Sequence, residues 1–133
     1  MSSIFRKIIN GETPSFKVAE DNNHIAILDI NPNSKGHTLC IPKKETDKIF
    51  DLPLDEYLLL MDFSHKVGNA LAKTVKCKRI GISVIGLEVP HIHVHLIPLS
   101  KMEEATFTTK VKFTDKEMKN IAAKINSNFK KIS

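Results

Sequence analysis

The chain has no tryptophan and a single tyrosine. It therefore has few of the flat side chains on which unpaired bases stack, and its lysines are not interleaved with aromatics. A nucleic-acid partner is not expected. Its two cysteines, Cys40 and Cys77, lack paired metal-ligand spacing, which excludes a disulfide framework and a four-thiolate cage; both read as reduced and structural. No stretch approaches the ~20 apolar residues of a membrane-spanning helix. The amino terminus carries neither a long apolar run nor a small-residue cleavage site, so the expectation is a soluble, cytoplasmic chain with no membrane partner. Internal repeats and low-complexity segments are also missing.

What is present suits one domain over 1–133. The 133 residues, 41% of them hydrophobic, are enough for a real core. A formal net charge of +5 comes mostly from scattered lysines, with pairs at Lys43 and Lys44 and at Lys130 and Lys131. Such a field favours anionic ligands, although most of these lysines serve as solvated surface.

Apolar spacing divides the chain into elements. Ile4, Phe5, Ile8 and Ile9 predict a short helix over 3–10, with Ser2 or Ser3 as cap and Gly11 as stop. Strands are expected over 16–20 and 24–28 around the turn Asp21, Asn22 and Asn23, and over 36–42. Tyr57, Leu60, Phe63, Val67, Ala70, Leu71 and Val75 mark a long helix over 54–75. Pro53 suits its first turn, while Gly68 inside it costs ~1 kcal/mol relative to alanine unless close packing needs it. A strand over 79–85 follows. After Pro98 the pattern weakens until Thr114 and Glu117 supply a capping box for a helix striped by Met118, Ile121, Ile125 and Phe129, a stripe suited to core or subunit contact. The class is α+β, with an antiparallel sheet of about five strands, the long helix on one face, the other face free for ligand, and 99–133 a carboxy-terminal extension.

The chemistry concentrates in residues 86–98, GLEVPHIHVHLIP. His91, His93 and His95 alternate with Ile92, Val94 and Leu96, the period of a strand with one imidazole face and one apolar face. Next-but-one side chains on a strand stand ~6.5 to 7 Å apart, so neighbouring rings can share a phosphate, a proton or a metal. His24 and His65 stand alone and read as satisfied or solvated residues. A neutral imidazole can attack phosphorus while a second ring serves the leaving atom, both near neutral pH. His93, with a same-face neighbour on each side, is the natural nucleophile. A metal site using the three rings is the other reading of the pattern.

HIHVHLI closely resembles the signature of the histidine triad (HIT) family. FRKIINGETP, residues 5–14, and LDINPNSKGHTLCIPKK, residues 28–44, resemble the family's opening and second signature, so the likeness runs over roughly 3–98. The resemblance implies a HIT-like fold of the Hint-like branch, a homodimer with sheets joined across the interface, and no metal or cofactor. It implies hydrolysis of purine nucleoside phosphoramidates or acyl adenylates through a nucleotidyl-histidine intermediate. The runner-up activity is dinucleoside polyphosphate hydrolysis; a nucleotide-binding or metal-binding module without turnover comes from another class. Residue by residue it makes His93 the nucleophile and His95 the phosphate contact and proton donor. His91 with His37 becomes the orienting pair, His37 lying beside the triad's first member. Asp29 would accept the ribose hydroxyls, against the alternative of a local turn cap, and Phe5, Ile8, Ile27 and Ile30 would line the base pocket. Some bacterial relatives carry two zinc-binding cysteines where this chain has Ser3 and Arg6, so that zinc is not expected. Leu87 and Glu88 replace the glutamine and hydroxyl residue that many relatives place before the triad. Glu88 either points outward or pairs with a lysine, or else meets a cationic leaving group.

Overall fold

The computed structural model describes residues 3–132. A six-residue helix α1 (Ile4–Ile9) begins where the Ser3 hydroxyl accepts the Arg6 amide at 3.1 Å. Ser2, the other cap expected, lies outside the described residues. Strands β1 (Lys17–Glu20), β2 (His24–Leu28) and β3 (Thr38–Pro42) lead to a long helix α2 (Leu54–Thr74), then β4 (Arg79–Ser83), β5 (Val94–Leu99) and a final helix α3 (Asp115–Ile132). All neighbouring strands pair antiparallel, in the order β1-β2-β3-β5-β4.

Every residue of β2 and β3 is buried, because both faces of the sheet's centre are covered. On one face Ala26, Leu28, Cys40, Val94 and Leu96 pack with Leu60, Phe63, Val67 and Leu71 of α2 and with Met118, Ile121 and Ile125 of α3. The carboxy-terminal stripe is thus core. Fully burying such aliphatic side chains stabilises the fold by about 1.5–3 kcal/mol each. The opposite face holds a smaller cluster of Phe5, Ile25, Ile27, Leu39 and Ile41, edged by Ile8, Ile9 and Val89. α1 covers only part of this face, and the histidines occupy the rest.

Two glycines behave differently. Gly36 has φ +88° immediately before β3, and a Cβ there would lie 2.8 Å from Val75 and 3.0 Å from Leu71, so the turn presenting His37 needs glycine. Gly68 in α2 has only Leu96 near the place of a Cβ, at 3.9 Å. The close packing that would explain a helical glycine is not found there.

Several strand bounds differ from expectation, the first and third strands starting one and two residues late and the largest differences lying around the triad. β4 stops at Ser83, and β5 begins at Val94, so His91 and His93 precede it. The cause is local: the Ile92 amide donates to Thr46 at 2.9 Å and the His91 amide to Val89 at 2.8 Å instead of joining the β3 ladder. Side-chain alternation survives, since Ile92, Val94 and Leu96 all enter the main core.

Candidate active site

His93 and His95 stand side by side on the partly covered face, ring centroids 4.9 Å apart, with 8% and 7% of their surface exposed. Phe5 of α1 packs edge-on against His93 at 4.9 Å and His91 at 5.8 Å. His91 itself has no exposed surface. Two of the three rings therefore keep a small exposed surface, and the first is fully buried.

The expected pairing of His37 with His91 is corrected by the register. β3 and β5 run antiparallel with Leu39 opposite His95 and Cys40 opposite Val94. The start of β3 therefore meets the middle of β5, Thr38 opposite Leu96, and His37 Nε2 lies 3.0 Å from His95 Nδ1. The same register brings the end of β3 to the triad's first member, whose Nε2 is 2.7 Å from the Pro42 carbonyl.

Backbone groups fix the proton positions. The Asn33 amide donates to His37 Nδ1 at 3.0 Å, so His37 carries its proton on Nε2 and donates it to His95 Nδ1. His95 must then hold its own proton on Nε2. His93 donates from Nδ1 to the His91 carbonyl at 2.8 Å, which leaves the Nε2 lone pair unbound. His91 donates from Nε2 to Pro42 and accepts the Ser3 hydroxyl on Nδ1 at 2.8 Å. The site thus presents one nucleophilic nitrogen beside one N–H donor.

Burial supports the neutral forms. Desolvation, with the charges of His95 and Lys110 beside it, holds His37 down to about 3; desolvation, then His93 and Lys110, holds His95 down to about 4. Asp29 is shifted the other way by burial, its carboxyl raised even though the Asn31 amide and Lys110 pull it down. One Asp29 oxygen accepts the Asn31 amide at 2.8 Å, a turn cap, while the other faces His37 Nε2 at 3.7 Å. The cap and a place in the site are thus compatible. Phe5 and Ile27 are buried in the cluster under α1, Ile8 is half-buried against it, and Ile30 is 80% exposed beside Asp29. Glu88 is exposed, and among the described residues it forms no hydrogen bond or ion pair. His24 is a satisfied core residue, stacked on Phe63 at 5.1 Å and bonded to Asp21.

Asn33, Phe107 and Lys110 were not anticipated: Asn33 lies within the second signature but was given no role there, and no periodicity or motif marks the other two. Asn33 fixes the His37 tautomer, while Phe107 packs on His95 at 4.9 Å and His37 at 6.0 Å. A groove of about 890 Å³ between β1 and α3 is lined by Lys17, Ala122 and Asn126 among others and holds no histidine or cysteine.

Two places bear on metals. Asp29, His37 and His95 each bring one ligand atom within 4.8 Å of the others, but the facing imidazole nitrogens already share a hydrogen bond and the Lys110 charge acts on all three residues. At Ser3 and Arg6, where the sequence led to no expectation of zinc, the Ser3 amide donates to Glu45 at 3.2 Å, the Ser3 hydroxyl donates to His91, and the Arg6 guanidinium donates to the Lys43 carbonyl. A hydroxyl and a guanidinium in place of two thiolates do not fit that ion.

The family model described as HIT domain matches residues 10–102. An uncharacterized HIT-like protein of Methanocaldococcus jannaschii is 41% identical over 102 residues, 71% of this chain and 77% of that one. The adenosine 5'-monophosphoramidase of Saccharomyces cerevisiae is 40% identical over 100 residues, 71% of this chain and 61% of that one. The crystal structure of a zinc-bound histidine triad family protein from Mycobacterium smegmatis superposes with TM-score 0.84 at 25% identity, covering 99% of this chain and 96% of that one.

Proposed function

The chain belongs to the HIT domain family, and on that premise we propose that it hydrolyses purine nucleoside phosphoramidates or acyl adenylates to the nucleoside monophosphate, as a homodimer. The observation that carries this reading is the pairing of His93 Nε2, left unbound by the bond from Nδ1 to the His91 carbonyl, with the N–H of His95. The name of the yeast relative, an adenosine 5'-monophosphoramidase, supports the substrate class.

In the proposed reaction His93 Nε2 attacks the α-phosphorus, and the bond from phosphorus to the leaving nitrogen or acyl oxygen breaks. The leaving atom keeps the electron pair and accepts a hydrogen bond from His95 Nε2; an acyl group departs as its carboxylate, and an amine departs with a proton taken from solvent. Water then attacks phosphorus, gives its proton to solvent and displaces His93 with its lone pair restored. His91 carries no proton to substrate, because both its nitrogens are bonded and buried. It is a positioning residue, which holds the carbonyl that orients His93. Asp29 receives the ribose hydroxyls, and the base lies over Phe5, Ile8, Ile27 and the exposed Ile30.

Intact-mass measurement after rapid mixing with an adenosine phosphoramidate is expected to show a transient adenylyl adduct. His93→Ala is expected to lose the adduct and to slow turnover roughly a thousandfold or more. Turnover by His93→Ala at the parent rate would reject the nucleophile.

A further inference from the structure

Residues 106–113, beyond the part of the chain that matches the family model, hold an aromatic side chain that the packing of the fold does not account for. Phe107 has φ +64°, an uncommon conformation for an aromatic residue, and strain of this kind persists only where the surroundings fix it. Burial in the core would offset the strain, but Phe107 is only half-buried and, among the described residues, joins neither apolar cluster. Its ring partners are polar and belong to the site: His95 edge-on at 4.9 Å, His37 at 6.0 Å, and the Lys110 ammonium 5.1 Å over the ring.

The backbone around Phe107 is anchored without help from that ring. The Val111 amide donates to the Pro32 carbonyl at 3.0 Å, Lys110 donates to Asn33 Oδ1 at 2.6 Å, and the Thr106 hydroxyl donates to the Glu103 carbonyl at 2.9 Å. Glycine or asparagine would take the same conformation more readily. What the phenyl ring adds is an apolar surface beside His95. Phe5 supplies a like surface on the other side, touching His93 and His91, whereas Phe107 touches His95 and His37. In the proposed reaction the base lies over Phe5 and the ribose meets Asp29 at His37, the farther of the two rings from Phe107. His95, the nearer ring, serves the leaving atom.

We propose that Phe107 is a specificity-determining residue, which contacts the leaving group and favours a neutral, flat, apolar substituent on the departing amine or acyl group over a bare or polar one. The inference rests on the hydrolase reading above and narrows its substrate class. Such a substituent buries its surface against the ring, while the Lys110 charge already over that ring repels a cationic one. A bare phosphoramidate, whose leaving group is ammonia, offers Phe107 nothing to touch.

The test is hydrolysis of two adenosine phosphoramidates by the full chain, one with benzylamine and one with 2-methoxyethylamine as the leaving group. The two amines have similar basicity, so their intrinsic reactivities cancel in the ratio of kcat/KM. The parent is expected to favour the benzyl substrate by about fivefold or more. Phe107→Gly removes the ring and suits the positive φ; it is expected to unfold cooperatively in urea and to bring the ratio to within about twofold of unity. Should the glycine variant not fold, Phe107→Asn, which also tolerates positive φ, is read in the same way. Phe107→Tyr, which keeps the ring, is expected to keep the preference. A structural role, or a contact with the nucleoside, would slow both substrates equally in Phe107→Gly and leave the ratio intact, which would overturn the proposal. So would a parent ratio near unity, and in that case the hydrolase reading stands. Failure of the parent to cleave either substrate would overturn both.

Discussion

At the scale of single residues, the four histidines differ in what is done to their protons. His37 and His95 are held neutral by burial, and His91 is pushed down in the same direction, desolvation again the largest cause. In an unfolded chain these rings take up protons near pH ~6.5. Above that pH both states are neutral at these positions, and the fold has its full stability. As pH falls through 6.5 towards about 4 for His95 and about 3 for His37, the unfolded chain binds protons that the fold refuses. Stability then drops by up to ~1.4 kcal/mol per pH unit for each such histidine. Asp29, its carboxyl raised, works in the opposite sense once it titrates and offsets part of the loss. Urea unfolding is expected to show a lower midpoint at pH 5 than at pH 7 with an unchanged m-value. A double variant His37→Gln, His95→Gln should show a shallower dependence. Equal midpoints for the parent at the two pH values would contradict the neutral hydrogen-bonded pair.

At the scale of elements, Gly68 gives a measurable test of α2. The residue lies mid-helix, with room for a methyl group against Leu96, so Gly68→Ala is expected to stabilise the protein by about 1 kcal/mol. Gly36→Ala should do the reverse, since it adds a Cβ at positive φ against Val75 and Leu71. Denaturant midpoints read both, and the same sign for the two would mean that the packing around α2 differs from that described. These elements were legible because spacing is a local property. Period-two alternation marked the last three strands, the turn at residues 21–23 marked the first two, period-3.6 spacing marked α1, α2 and α3, and the Thr114 and Glu117 box caps α3 with bonds of 2.9 and 3.1 Å. The partner of His37 was misplaced because antiparallel strands are counted from opposite ends: the residue that opens β3 meets the middle of β5 and not the triad's start. Asn33 and Lys110 were out of reach because their bond joins positions 77 residues apart, and neither belongs to a periodic stripe. Phe107 was hidden in a polar stretch whose only signal is its backbone conformation.

At the scale of the whole molecule, the sheet ends differently on its two sides. β1 is flanked by α3, with Asn126 donating to the Val18 carbonyl at 2.8 Å, whereas β4 pairs with β5 alone and leaves its outer edge open. An open edge is a template for another strand unless charge, proline or a bulge blunts it. β4 reads RIGIS, with one charge at its start and no proline; Ile82 is 60% exposed, and Ile85 just beyond it 51%. Two copies joined β4 to β4 about a twofold axis would form one continuous sheet and cover those isoleucines, the arrangement expected for the proposed homodimer. Light scattering should give roughly twice the 15.0 kDa of the single chain, and Ile82→Lys should shift the mass towards one copy by placing like charges at the axis. Because His37, His91, His93, His95 and Asp29 all come from one chain, the Ile82→Lys monomer should still bind AMP. Loss of binding with the fold intact would mean that the partner supplies part of the nucleotide site, while a parent mass of one chain would remove the paired edge altogether.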